Sequence, residues 1–158
     1  MIFEIGIYRL DVDVERTKAF YAGSYDIGCA CDGCLNFEKA VHYLPEDVKS
    51  FFHQFGIAPT KPAEIGSPFS INDKDTAQYN GFYHLCGTIL EGTNPWIKVS
   101  KKQYHLDEQY AINLSNNFSF FFTEDCLLLE EDFPSPAIQL EFTGDLPWVL
   151  DKPNPYII

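Results

Sequence analysis

The stretch Cys29-Ala30-Cys31-Asp32-Gly33-Cys34 places three thiols within six residues, and no other local run in the chain concentrates groups of comparable reactivity. Thiolates are soft metal ligands, and a structural zinc ion takes four nitrogen or sulfur donors in a tetrahedron. Cys31 and Cys34 have the Cys-x-x-Cys spacing that offers two of these. The remaining donors must come from elsewhere in the chain. His84-Leu85-Cys86 is the best source, because His84 and Cys86 at i and i+2 lie on one face of a strand. Cys29 and His42 are the substitutes for either ligand. A second Cys-x-x-Cys pair would make the motif far more specific, and this sequence has only one. Structural zinc is therefore the candidate cofactor, with Cys31, Cys34, His84 and Cys86 as its expected ligands.

The same residues admit two other readings. At a helix N-terminus, the free amides and the helix dipole favour thiolate at Cys31 or Cys34, which is the basis of dithiol redox chemistry. Thioredoxin-like enzymes place that motif after a strand in a βαβ unit, and the organisation here is different. The simplest reading makes the cysteines small hydrophobes at the start of a helix, with Asp32 or Gly33 turning or capping the chain.

Other chemistries have less support. No Gly-x-Ser-x-Gly elbow and no glycine-rich phosphate loop occurs. Cys34 or Cys86 could pair with His42 or His84 as nucleophile and base, yet the spacing does not favour this over structural histidines. Aromatic runs at 80–84 and 118–122 could line a small-molecule or hydrolytic pocket, with His84 beside a thiol or carboxylate. Such runs are more often core.

Several elements would have to position these groups. Period-two alternation over 2–14, with a phase switch near Tyr8–Arg9, predicts a half-buried strand with a bulge or bend. Thr17–Ala22 reads as a second extended run, forming a hairpin that turns near Val14–Arg16. Phe37, Ala40, Val41 and Leu44 follow the helical i, i+3, i+4, i+7 rule. Pro45-Glu46-Asp47 then opens a second helix with the stripe Val48, Phe51, Phe52, Phe55, ending at Gly56. Prolines at 59, 62 and 68 predict a loop with a short extended piece at Glu64–Ile65, and 72–78 is polar and turn-like. Beyond it, strands are expected at Tyr79–Leu90, Trp96–Val99 and Pro136–Phe142. Tyr110–Leu114 and Asn117–Thr123 should form a hairpin. Cys126–Phe133 is ambiguous between helical turn and strand end. The predicted fold is α+β: a mostly antiparallel sheet, curled or in a sandwich, with one helical pair at about 33–55 packed on it. The chain reads as a single domain over 1–158, with 151–158 as a surface tail.

Composition sets the remaining bounds. The 158 residues include 14 Phe, 9 Tyr and 2 Trp, enough aromatic surface for a substantial core. The formal net charge is −12. Such a surface repels phosphates, so nucleic acid and anionic membranes are not expected partners. It attracts a basic protein. No run approaches the ~18 apolar residues of a membrane span, and the first ten residues lack a signal-peptide pattern. Cytoplasmic placement with reduced thiols is the expectation. Five cysteines cannot all pair within one chain.

Four blocks occur in order: Cys31-x-x-Cys34-x-Asn36-Phe37; Gly56-Ile57-x-Pro59-x-Lys61-Pro62-x-Glu64; Gly81-x-Tyr83-His84; and Gln139-Leu140-Glu141-Phe142 with Leu146-Pro147-Trp148-Val149-Leu150. In this the chain resembles a family of small uncharacterised bacterial proteins, across about Gly28 to Leu150. The resemblance implies no activity, cofactor or catalytic residue. The sequence therefore points first to a non-enzymatic binding protein, comparable to immunity proteins that neutralise basic toxins. A zinc-stabilised or thiol-dependent protein is the alternative.

Overall fold

The computed structural model describes residues 1–24 and 26–158. In chain order the elements are β1 (Ile2–Ile5), β2 (Tyr8–Val12), α1 (Val14–Gly23), α2 (Asp32–Ala40), α3 (Glu46–Gln54), β3 (Glu64–Ile65), β4 (Thr76–Glu91), β5 (Trp96–Ser100), β6 (Gln103–Leu106), β7 (Ile112–Asn113), β8 (Ser119–Thr123) and β9 (Ala137–Pro147). Short 3-10 turns follow α2 and β6. Seven strands form one antiparallel sheet in the order β1-β2-β4-β9-β8-β7, with β3 added to the free side of β4. β5 and β6 make a separate two-stranded hairpin. This is the expected α+β architecture, an antiparallel sheet that does not close on itself.

The helical pair forms where the apolar stripes place it. Cys31 caps α2, and Pro45 precedes α3, whose first turn carries Glu46 and Asp47. Phe51 stacks on Phe120 at 4.2 Å, and Phe52 meets Tyr83 edge-on at 5.0 Å. Phe37 reaches Tyr79 at 5.4 Å. The aromatic stripes of α2 and α3 thus lie on the face of the sheet built from Tyr79, Tyr83, Phe120, Phe122 and Phe142. These residues are essentially buried, and rings of this size dominate a core's apolar area.

Two N-terminal expectations are corrected. The run 2–14 is not one strand: a hairpin turn precedes Tyr8, while the expected irregularity does occur one step on, where the β2–β4 register shifts between Arg9 and Leu10. Ile5 pairs with Tyr8 across Gly6-Ile7, and Gly6 takes φ +57, which glycine adopts at no steric cost. Thr17–Ala22 is helical, not extended. Asp13 caps α1 by accepting the Arg16 N–H at 3.0 Å, and Glu15 favours the helix dipole.

The reason for α1 lies on β4. β2 pairs with β4 from Gly87 onward and β3 pairs with Gly81 and Phe82, leaving the strand edge between them open. Side chains of α1 fill it. The Tyr21 hydroxyl donates to the His84 carbonyl at 2.9 Å and accepts the His84 N–H at 3.1 Å. Thr17 Oγ1 accepts the Cys86 N–H at 3.0 Å, and the Asp13 N–H donates to the Cys86 carbonyl at 2.8 Å. Lys61 closes the other end of α1, donating to the carbonyls of Tyr21 and Ser24.

The second half follows the predicted strands with changed ends: β4 already begins at Thr76, inside the stretch expected to turn, because it pairs there with Pro147, and the strand expected at Tyr110–Leu114 shortens to Ile112–Asn113 after a 3-10 turn that takes Tyr110. β9 continues to Pro147, and β5 acquires a partner in β6. Cys126–Phe133 is neither helix nor strand. The tail at 151–158 is tied down: Ser70 exchanges backbone hydrogen bonds with Tyr156 and Ile158, and Asn154 is buried against Ser70.

Tyr21→Phe leaves both polar groups of the His84 backbone without their partner. It should lower stability by about 1–3 kcal/mol. The expected readout is a lower urea midpoint with an unchanged denaturant slope.

Candidate metal centre at the start of the second helix

The cysteine turn is held by the first turn of α2. Cys31 is extended (φ −71, ψ 159) and its Sγ accepts the Cys34 N–H at 3.5 Å. The Cys29 thiol donates to Cys31 Sγ at 3.2 Å. Cys29 and Cys31 are exposed, and Cys34 is buried. The three sulfurs lie within 4.8 Å of one another. A tetrahedral zinc site with Zn–S near 2.3 Å sets its sulfurs about 3.8 Å apart. The observed spacing brackets that value, with Cys29 and Cys31 sulfurs 3.2 Å apart and none of the three pairs beyond 4.8 Å.

Gly33 fixes the floor of the turn. Its N–H donates to the Tyr156 hydroxyl at 3.1 Å, and its carbonyl accepts the Tyr79 hydroxyl at 2.9 Å. A side chain at 33 would meet the Pro68 ring at 2.9 Å. Asn36, fully buried one turn further on, donates to Tyr79 Oη and the Pro147 carbonyl, and accepts the Val149 N–H at 2.7 Å. Asp32 is engaged by Lys152 at 2.7 Å. The turn is therefore fastened to β4, to the end of β9 and to the C-terminal segment.

The expected four-ligand set does not assemble. Among the described residues, Cys29, Cys31 and Cys34 are the one group of metal-ligating side chains brought this close. His84 and Cys86 stay away from it for a reason of strand parity. On β4 the residues Tyr79 and Tyr83 face α2 and α3, so His84 and Cys86 face the opposite side. His84 is also five residues from Tyr79, roughly 16 Å along the strand. Its Nε2 donates to Gln139 Oε1 at 3.3 Å, and Phe82 and Phe133 flank the ring. Cys86 is buried beside Thr17 and lines a surface groove with Asp13 and Arg16. His42 lies beyond the end of α2 in a groove with Asp26, Glu38 and Thr60. Cys29, expected only as a substitute, is the third member of the cluster.

The thiols are electrostatically distinct. The Cys34 N–H, with the Cys29 thiol second, pulls the Cys31 thiol below its ordinary value. Burial pushes Cys34 well above it, and the neighbouring thiols add to the rise. Cys86 and Cys126 are raised by burial as well. Negative charge is therefore favoured at Cys31 over Cys34 when the cluster is metal-free.

No family model, curated protein or solved structure matches the chain. No helix is long and apolar enough to cross a membrane among the described residues. The functional reading rests on the geometry of this turn.

Iodoacetamide under reducing, metal-free conditions should label Cys31 ahead of Cys34, Cys86 and Cys126, as peptide mass spectrometry would resolve. Uniform labelling would contradict the distinction. His84 supplies a separate pH test. Burial lowers its pKa in the folded chain, so the neutral form is favoured there. Its contribution is complete above the unfolded value of ~6.5 and is lost as pH falls from there toward the folded value. His84→Gln should flatten the stability profile in that window, measured by urea unfolding at a series of pH values.

Proposed function

We propose that this protein binds one thiophilic metal ion through Cys29, Cys31 and Cys34. The observation that carries the reading is the convergence of three sulfurs at the capped start of α2, within 4.8 Å of each other. Three thiolates suit soft or borderline ions, zinc among them. Zinc would complete its tetrahedron with water, because Asp32 is paired to Lys152 and no other metal-ligating side chain joins the group among the described residues. Three protein donors with one open position is the arrangement of reactive or exchangeable sites rather than of closed structural ones. The α2 N-terminus lowers the cost of gathering negative sulfur there.

Such an ion would tie the loop before α2 to the helix itself. Binding requires deprotonated thiols, so affinity should rise with pH, and ligation of the native state should raise its stability. Elemental analysis of protein purified without chelator should find about one equivalent of metal per chain. Less than about one-tenth equivalent, with thiols of ordinary reactivity, would remove both the metal and the thiol-dependent readings. Cys29→Ser should weaken metal binding by more than about tenfold, since even the loss of a supporting contact around a metal site costs ~10–100-fold. Cys86→Ser should leave it unchanged. Both effects are read by competition with a chromophoric chelator.

A further inference from the structure

The side of the sheet away from α2 and α3 carries two exposed apolar features of opposite charge. The first is the β5–β6 hairpin, which stands apart from the main sheet. Ile97, Val99 and Tyr104 on it are 45, 57 and 56 % exposed; the register pairs Tyr104 with Lys98 on one face of the hairpin and places Ile97 on the other. Its basic residues are Lys98, Lys101 and Lys102, and the segment 96–106 holds no acidic residue. These three are the whole supply of Lys and Arg between Lys74 and Lys152. None of them takes part in an ion pair among the described residues.

The second feature is the loop after β8. Leu127, Leu128 and Leu129 are consecutive and 59, 65 and 42 % exposed. Glu124, Asp125, Glu130, Glu131 and Asp132 bracket them with no basic residue. The loop is anchored on both sides. The Leu127 N–H donates to Gln139 Oε1 at 2.8 Å, and Phe133 is buried against Phe20 at 4.5 Å. An anchored run of three exposed leucines is a contact surface more often than an accident of folding.

The two features are neighbours. Asn94, at the base of the hairpin, donates to Asp125 at the base of the loop at 3.3 Å. Trp96 Nε1 donates to Glu141 Oε2 at 2.9 Å, fixing the hairpin's root to β9. Adjacent patches of opposite charge on one surface are what a two-fold axis needs. Rotating a second copy about an axis between them sets each hairpin on the other copy's loop, and the contact closes on itself.

We propose that this face is a homodimer interface, in which the Lys98/Lys101/Lys102 hairpin of each chain seats on the Leu127–Leu129 loop of its partner. The basic partner that the net charge calls for is then supplied by the chain itself. Two copies at −12 each repel at long range, so the contact depends on this local complementarity together with Tyr104 beside Lys98 and the three leucines of the loop. The inference does not rest on the metal reading, since the cysteine turn lies on the other side of the sheet.

Sedimentation equilibrium of the full chain tests it at about 100 µM, where a contact with Kd ~100 µM is half formed. The expected result is a mass between one and two chains, rising toward two with concentration. K98E/K101E/K102E and, separately, L127S/L128S/L129S should each weaken association at least tenfold. All six positions are exposed, and unchanged urea midpoints would show that the fold persists. Adding E130K/E131K/D132K to the reversed hairpin should restore the dimer. A monomeric wild-type chain, a dimer indifferent to both triple variants, growth beyond two chains, or failure of the double reversal to restore association would each overturn the proposal.

Discussion

Strand β4 runs from Thr76 to Glu91 through the middle of the sheet, and every amide along it has to find a partner. β9 satisfies one side with an uninterrupted register from Thr76 to Cys86. The other side is assembled from four sources: Phe69, β3, the side chains of α1, and β2. An unsatisfied buried backbone group costs about as much as a lost hydrogen bond or more. This requirement explains why a helix follows the first hairpin, and why Thr17 and Tyr21, one turn apart, are buried polar residues on it. It also explains the Pro-rich loop, whose extended piece must lie beside Gly81 and Phe82.

The same strand separates the surroundings of the two faces of the sheet. Its odd-numbered aromatic residues build the wall on which α2 and α3 rest. Tyr79 in that wall reaches through to the cysteine turn. Its even-numbered residues face the back, where His84 joins Gln139 beneath the exposed loop of leucines. The proposed metal centre on one face and the proposed contact surface on the other therefore share a single backbone, with side-chain alternation as the divider.

How much of this was legible depended on the range of the signals. The helices after the cysteine turn were readable because their apolar stripes repeat at helical spacing and their ends carry Pro45 and Gly56. The long strand was readable from its alternation, and the isolated pair Glu64–Ile65 from the prolines around it. α1 was misread because its buried face is polar: Thr17 and Tyr21 are there to satisfy β4, and an apolar-periodicity argument has nothing to detect. The candidate site was half legible. Cys31 and Cys34 were found by spacing and by the helix that follows. His84 and Cys86 were assigned to the same site on chemistry alone. Only the pairing of β4 with β9 and the packing of α2 fix which face each residue takes. Tyr79, Asn36 and Tyr156, which hold the turn, carried no local signal, since their partners are 43 or more residues away.

The peptide groups on either side of Gly33 are gripped by two tyrosines, Tyr156 at the nitrogen and Tyr79 at the carbonyl. One tyrosine belongs to the C-terminal segment and the other to the central strand β4. Fraying of α2's first turn would orphan a buried hydroxyl in the centre of the core. The amide of Gly33 should consequently exchange with solvent only when the C-terminal segment also lets go, so the thiol turn opens together with a distant piece of the chain rather than as an independent surface loop.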